Sequence, residues 1–168
     1  MASTLPRRLS ILVGWLALIN LSHAQNPVGP GADAGLIHFK SPDSVADTAD
    51  RFTRMAQERG LNVFTRVDHS SGAQSAGLEL PPTVVVLFGN PKAGTPLMQC
   101  QRTVAIDLPQ KALVWQDEMG QTWLSYNDPQ YLMERHQLGE GCATPIQRIG
   151  QALNGLATAA TSPEGEGN

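Results

Sequence analysis

Runs of one character are what this chain mostly lacks. Beyond Arg7 and Arg8 no basic run exists, and the net charge is only −3. A nucleic-acid backbone is held by a basic face, so a nucleic-acid partner has no electrostatic support. After residue 24 no apolar stretch reaches the roughly 20 residues that cross a bilayer as a helix. No segment repeats, and no GxxxxGK[ST] phosphate loop occurs. Nowhere does an acid, a base and a nucleophile assemble into a recognisable catalytic set, so the sequence leans away from an enzyme.

The beginning is the most patterned part. Arg7 and Arg8 precede an apolar run from Leu9 to Leu21, and Ser22-His23-Ala24 places small residues at the −3 and −1 positions. That is the layout of a secretory signal peptide over residues 1–24, with cleavage between Ala24 and Gln25. The run is short for a spanning anchor. Gln25, not cysteine, stands directly after the cleavage point, so nothing suggests a lipid anchor. The expected location is periplasmic or secreted, with no membrane span after cleavage. The remainder suffices for one domain with one core. Residues 25–34 read as a flexible Pro/Gly leader, 35–160 as the domain and 161–168 as a disordered acidic tail.

Within the domain, Gly35 to Lys40 reads as a strand, and Ser41-Pro42 as cap and first turn of a helix. Val45, Ala49, Phe52, Met55 and Ala56 give that helix one apolar stripe, and Gly60 ends it. Asn62 to His69 alternates as a strand, with Val63, Thr65, Val67 and His69 on one face. A loop follows to Pro82, with room for a helical turn around Ala73 to Ala76. Thr83 to Phe88 is apolar nearly throughout, the pattern of a strand buried on both faces. Thr95-Pro96 opens a short helix. Lys111 to Asp117 and Gln121 to Tyr126 form a hairpin. Its three-residue loop Glu118-Met119-Gly120 sets Trp115 opposite Trp123. Asp128-Pro129 caps another helix ending near Gly139. Thr144-Pro145-Ile146-Gln147 is a capping box for the last, whose stripe is Ile146, Ile149, Leu153 and Leu156. The order β-α-β-β-(short α)-β-β-α-α predicts an α+β two-layer sandwich, with an antiparallel or mixed sheet and helices on one face.

Three stretches carry a resemblance: VDHSSGA (Val67 to Ala73), LFGNPKAGTPLMQ (Leu87 to Gln99) and AIDLPQKALVWQDEMGQTWLSYNDPQYL (Ala105 to Leu132). Together they resemble the bacterial and archaeal family called domain of unknown function 302, over about Gly35 to Leu138. The resemblance implies a β-α-β-β-β-β-α sandwich, often paired as a homodimer. It implies no established activity.

Several residues invite chemistry. Asp68-His69-Ser70-Ser71 has triad composition, but neighbouring strand residues point to opposite faces, so Asp68 cannot orient the His69 ring directly. His69 reads more simply as a hydrogen-bonded residue at a strand end, with a ligand or pH-sensing role as the alternative. Lys92, Gly94 and Thr95 precede the proposed helix start at Pro96, where free N–H groups could hold an anion; a plain turn and cap is the simpler account. A site for a small-molecule or anionic ligand built from His69, Asn90, Lys92 and Thr95 requires that the four line one cleft. Met98, Cys100, His69 and His136 are soft or borderline metal ligands suited to Cu or Zn, although Met-x-Cys is no recognised metal spacing. Trp115, Trp123, Tyr126 and Tyr131 are core or dimer-face residues on the simplest reading, and a stacking site on another.

Cys100 and Cys142 are the only cysteines. An even count in an oxidising compartment makes an intrachain disulfide the default. The expected function is an exported small domain that binds a ligand the sequence does not identify. It carries no predicted cofactor and pairs as a homodimer. The alternative is a periplasmic protein handling Cu or Zn.

Overall fold

The computed structural model of the protein describes residues 35–163. The expected signal peptide, the leader and residues 164–168 lie outside the described residues. The elements are β1 (Leu36–Ser41), α1 (Val45–Glu58), β2 (Asn62–Asp68), α2 (His69–Ser75), β3 (Thr83–Gly89), α3 (Pro91–Cys100), β4 (Gln110–Gln116), β5 (Thr122–Asn127), α4 (Pro129–Arg135) and α5 (Ala143–Thr161). Short 3-10 turns precede β4 (Arg102–Asp107) and α5 (Glu140–Cys142). The five strands make one sheet in the order β1-β5-β4-β3-β2, with every neighbouring pair antiparallel. The expected α+β sandwich is therefore present, and the sheet is antiparallel.

One face of the sheet is covered. Val84, Val86 and Phe88 of β3, Ala112 and Val114 of β4, and Leu124 and Tyr126 of β5 form a core with Val45, Ala49, Phe52 and Ala56 of α1 and Leu153, Leu156, Ala157 and Ala160 of α5. Phe52 meets Phe88 edge to face, with centroids 4.9 Å apart. Such a pair adds roughly 0.5–1.5 kcal/mol beyond its buried area. A second cluster, Leu97, Val104, Leu138, Cys142 and Ile146, packs α3 against the start of α5.

Among the described residues no helix lies across the centre of the other face. It presents Leu36, His38 and Lys40, then Trp123 and Ser125, then Lys111, Leu113 and Trp115, then Val85 and Leu87. β3 is thus buried on one face only, with Val85 and Leu87 half-exposed on the other. The apolar run from Thr83 to Phe88 had implied cover on both.

Five local expectations change. Ser41 does not cap α1: it ends β1 opposite Thr122, with its Oγ 2.7 Å from Thr48 Oγ1, and Ser44 is the cap, accepting from the Asp47 N–H. In β2 the pairing slips at Phe64: Val63 lies opposite Phe88 and Thr65 opposite Leu87. One inserted residue swaps faces, so Val63 joins the helix side while Thr65 and Val67 stay on the open side. α3 begins at Asn90-Pro91, not at Thr95-Pro96, because Asn90 Oδ1 accepts from the Lys92 N–H at 2.9 Å and Pro91 fills the first position. α5 begins at Ala143 without a side-chain cap, so the Thr144/Gln147 capping box is not formed; a 3-10 turn leads into the helix instead. α4 also stops early, at Arg135. Gln137 takes φ +50° and the Leu138 N–H closes onto the Met133 carbonyl at 2.9 Å.

Candidate functional site

The start of β2, the end of β3 and the start of β4 meet at one corner of the sheet: Asn62 pairs with Gly89, and Phe88 with Gln110. α3 leaves from this corner and α5 passes over it. Between them lies a cavity of about 310 Å³. Its wall includes Leu61, Phe64, Phe88, Met98, Leu108 and Leu153, with Asn90, Thr95 and Gln110 as its polar side chains. No ionisable side chain lies among the described residues lining it. The bulge in β2 matters here. Phe64 is the residue without a ladder partner, stands 54 % exposed and joins the cavity wall near Gly89.

The four expected ligand residues do not share this cleft. Asn90 and Thr95 line the cavity; Lys92 and His69 do not. Lys92 is exposed on α3. With α3 starting at Asn90, Thr95 sits inside the helix and not at a free N-terminus, so the anion site expected before Pro96 has no helix start behind it. His69 lies past the far end of β2, which spans about 20 Å from Asn62 to Asp68, and is exposed as the first residue of α2.

Asp68 is the cap of α2. It accepts from the Ser71 N–H at 2.9 Å and from the Ser70 and Ser71 hydroxyls at 2.7 Å each. The Ser71 N–H, then the two hydroxyls, bring its pKa down to about 2. Both carboxylate oxygens serve the cap, and a hydrolytic triad is not formed.

The four metal candidates fall in different settings. Met98 lines the cavity, and His69 stands at the far strand end. His136 is buried, with Nε2 2.6 Å from Asp107 Oδ2 and Nδ1 3.3 Å from Thr103 Oγ1, tying α4 to the 3-10 turn before β4. Cys100 is bonded to Cys142, with Cα atoms 6.5 Å apart, as expected. Among the described residues no group of three or more His, Cys, Asp or Glu is placed to hold a metal ion.

Sequence reasoning missed two features. Gln110, directly after Leu108-Pro109, is a buried polar residue in the cavity wall; a strand that opens on glutamine gives no signal of burial. On the open sheet face, Trp115 Nε1 donates to Ser125 Oγ at 2.9 Å, and that oxygen lies 2.7 Å from His38 Nδ1. An indole only donates, so the Ser125 oxygen accepts from Trp115 and keeps a second lone pair and its own hydrogen for His38 Nδ1. Burial lowers the His38 pKa below its usual 6.5.

The model of the family described as Domain of unknown function DUF302 matches residues 37–156. The chain belongs to the DUF302 family. A solved structure, an uncharacterized conserved DUF302 protein from Bacillus stearothermophilus, superposes with a TM-score of 0.69 at 19 % identity, covering 76 % of this chain and 99 % of that one. This likeness shows the fold. At 44 % identity over 141 residues, the chain is similar to a protein named fluoride-specific ion channel FluC 1 from Brucella suis biovar 1 (strain 1330), covering 78 % of this chain and 56 % of that protein. A fluoride-specific ion channel FluC 1 from Brucella abortus biovar 1 (strain 9-941) matches at the same identity over 52 % of its length. This DUF302 chain therefore spans about half the length of the curated relatives it matches.

Proposed function

We propose that this DUF302 protein is an exported domain that binds a small, mainly apolar molecule in the corner cavity. The observation that carries the reading is the cavity itself: about 310 Å³, walled by aliphatic and aromatic side chains with three polar groups among them. Ligand sites have this size and composition. The test is titration of the full chain with 1-octanol, followed by the methyl resonances of Met98 and Leu153. The expected result is saturable shifts at those two methyls and none at Val85 or Leu113 on the open sheet face. Absence of shifts, or shifts spread over the surface, overturns it. Export is checked by sequencing the N-terminus of periplasmic protein: the expected first residue is Gln25, and an intact Met1 in the membrane fraction contradicts it.

The Brucella relatives are named as ion channels. A pore through a bilayer needs spanning helices or a closed barrel. Among the described residues no helix is long and apolar enough to cross a membrane, and the sheet is open. Ligand binding, not fluoride conduction, is therefore the activity proposed for this domain.

A second copy of the chain is the cover we propose for the open sheet face. Val85, Leu87, Leu113, Trp115 and Trp123 form an apolar strip there that no helix among the described residues buries. Patches of this kind mark interaction surfaces. Light scattering after gel filtration should give twice the monomer mass, and Leu113→Lys should give the monomer. A monomeric native protein sinks this part of the reading.

A further inference from the structure

We infer that the cavity selects neutral ligands whose polar end carries a hydrogen-bond donor beside an acceptor, a carboxamide or lactam, and that Gln110 reads it. This rests on the cavity being the binding site. Gln110 opens β4 on the core face of the sheet, opposite Phe88. It is 8 % exposed and lines the cavity, yet neither its amide oxygen nor its amide nitrogen has a hydrogen-bond partner. Buried polar groups are almost always paired, and an amide offers two donors and a two-lone-pair acceptor. A ligand carboxamide satisfies both ends of Gln110 at once, through a ring of two N–H···O=C bonds.

The other polar residues in the wall have less to gain from a ligand. Asn90 Oδ1 already accepts from the Lys92 N–H, and Thr95 is exposed on α3. The charge of the wall sets the rest of the selectivity. No lysine, arginine or histidine among the described residues lines it, so a carboxylate would enter desolvated, with no counter-charge and no donor to offer the Gln110 oxygen. No described aspartate or glutamate lines it either, which disfavours an ammonium for the same reason. The apolar part of the ligand meets Phe64, Phe88, Met98 and Leu153. A volume of about 310 Å³ equals the share of roughly ten waters, so ligands of about ten heavy atoms are the right scale.

The test is calorimetric titration of the full chain, near neutral pH, with octanamide, octanoate and 1-chlorooctane. The pair 4-butylbenzamide and butylbenzene repeats the comparison on a ring. Octanamide should bind roughly tenfold or more tighter than either companion, and the side-chain NH2 resonances of Gln110 should shift on saturation. Gln110→Leu should bring octanamide and 1-chlorooctane to similar affinity. If that variant fails to fold, the native affinities and the Gln110 resonances decide alone. Equal native affinities, tighter octanoate or unmoved Gln110 resonances overturn the inference and leave the cavity reading intact. No binding by any compound on either scaffold overturns both.

Discussion

Trp115 lies opposite Trp123 across the β4–β5 hairpin, and the two indoles send their N–H groups to different partners. Trp115 donates to Ser125 at 2.9 Å; Trp123 donates to Asp117 Oδ2 at 2.8 Å, with the Lys40 ammonium 5.2 Å from its ring centre. Asp117 also accepts from the N–H groups of Met119 and Gln121 through its other oxygen. The Trp123 indole, followed by those two N–H groups and Lys40, holds its carboxyl below the usual aspartate range against the opposing effect of desolvation. One side chain therefore organises both the turn and the ring that follows it.

The turn gives the first prediction. Gly120 sits at φ +78° with open space where a Cβ would be. Gly120→Ala therefore meets only the backbone cost of a left-handed residue, about 1 kcal/mol. Urea denaturation should show that loss with an unchanged slope. A loss several times larger would mean that the side chain meets something the open space does not contain.

This hairpin was legible because loop length, the glycine and the two flanking patterns all agreed. The first strand, the α1 stripe and the α5 stripe were legible for the same reason. α3 was not, because two cap-then-proline signals, Asn90-Pro91 and Thr95-Pro96, compete within one helix, and the earlier is the one whose side chain takes a backbone N–H. Ser41 was misread because its hydroxyl serves a contact with Thr48 as the chain leaves the sheet, which periodicity does not reveal. The bulge at Phe64 leaves no mark in an alternating strand, yet it transfers Val63 to the covered face. The cavity was illegible in principle: Leu61, Met98 and Leu153 become neighbours only through packing.

The second prediction concerns pH. The His38 pKa is lowered below 6.5 by burial, so the unfolded chain takes up the proton first as pH falls. Its contribution to stability is complete above pH 6.5 and declines as pH drops through and below that value. Denaturation midpoints measured from about pH 7.5 to about pH 5.5 should fall, and His38→Gln should flatten that part of the profile. Ser125→Ala should cost about 1–3 kcal/mol above that window, because the Trp115 N–H loses its acceptor in a site where Ser125 is 1 % exposed. An unchanged pH profile in His38→Gln would assign the acid sensitivity to another group.

The third prediction is at Gly35. It takes φ +71°, and a Cβ there would sit 2.5 Å from Tyr131 Cγ and Cδ2. Its carbonyl accepts from the Asp128 N–H at 2.9 Å, which ties the start of β1 to the cap of α4. Gly35→Ala meets both a backbone and a steric cost, so a loss of roughly 2–4 kcal/mol is expected. Adding Tyr131→Ala removes the two ring collisions but leaves the Tyr131 Cβ at 3.0 Å and the backbone strain. The double variant should therefore be more stable than the two single losses add up to. Simple additivity in a denaturation cycle would show that the ring moves aside freely.

The last prediction joins the disulfide to the cavity. The Cys100–Cys142 bond links residues 42 apart and ties the end of α3 to the lead-in of α5. On the chain-entropy model a loop of this length contributes about 4 kcal/mol. Cys142 is fully buried beside Leu97, Val104 and Ile146, so alanine is the better replacement there than serine, whose hydroxyl would enter an apolar cluster. Cys100→Ala/Cys142→Ala should lose about that amount. Reductant should lower the native protein to the same level and leave the variant unaffected. Unreduced, denatured native protein should take up no alkylating agent; full alkylation would mean that the bond is absent. Because Met98 and Thr95 of α3 and Leu153 of α5 share the cavity wall, release of the bond lets its two sides part. The variant should therefore bind 1-octanol more weakly than native protein under conditions where both remain folded. Equal affinity would show that the Leu97–Ile146 cluster alone holds the wall in place.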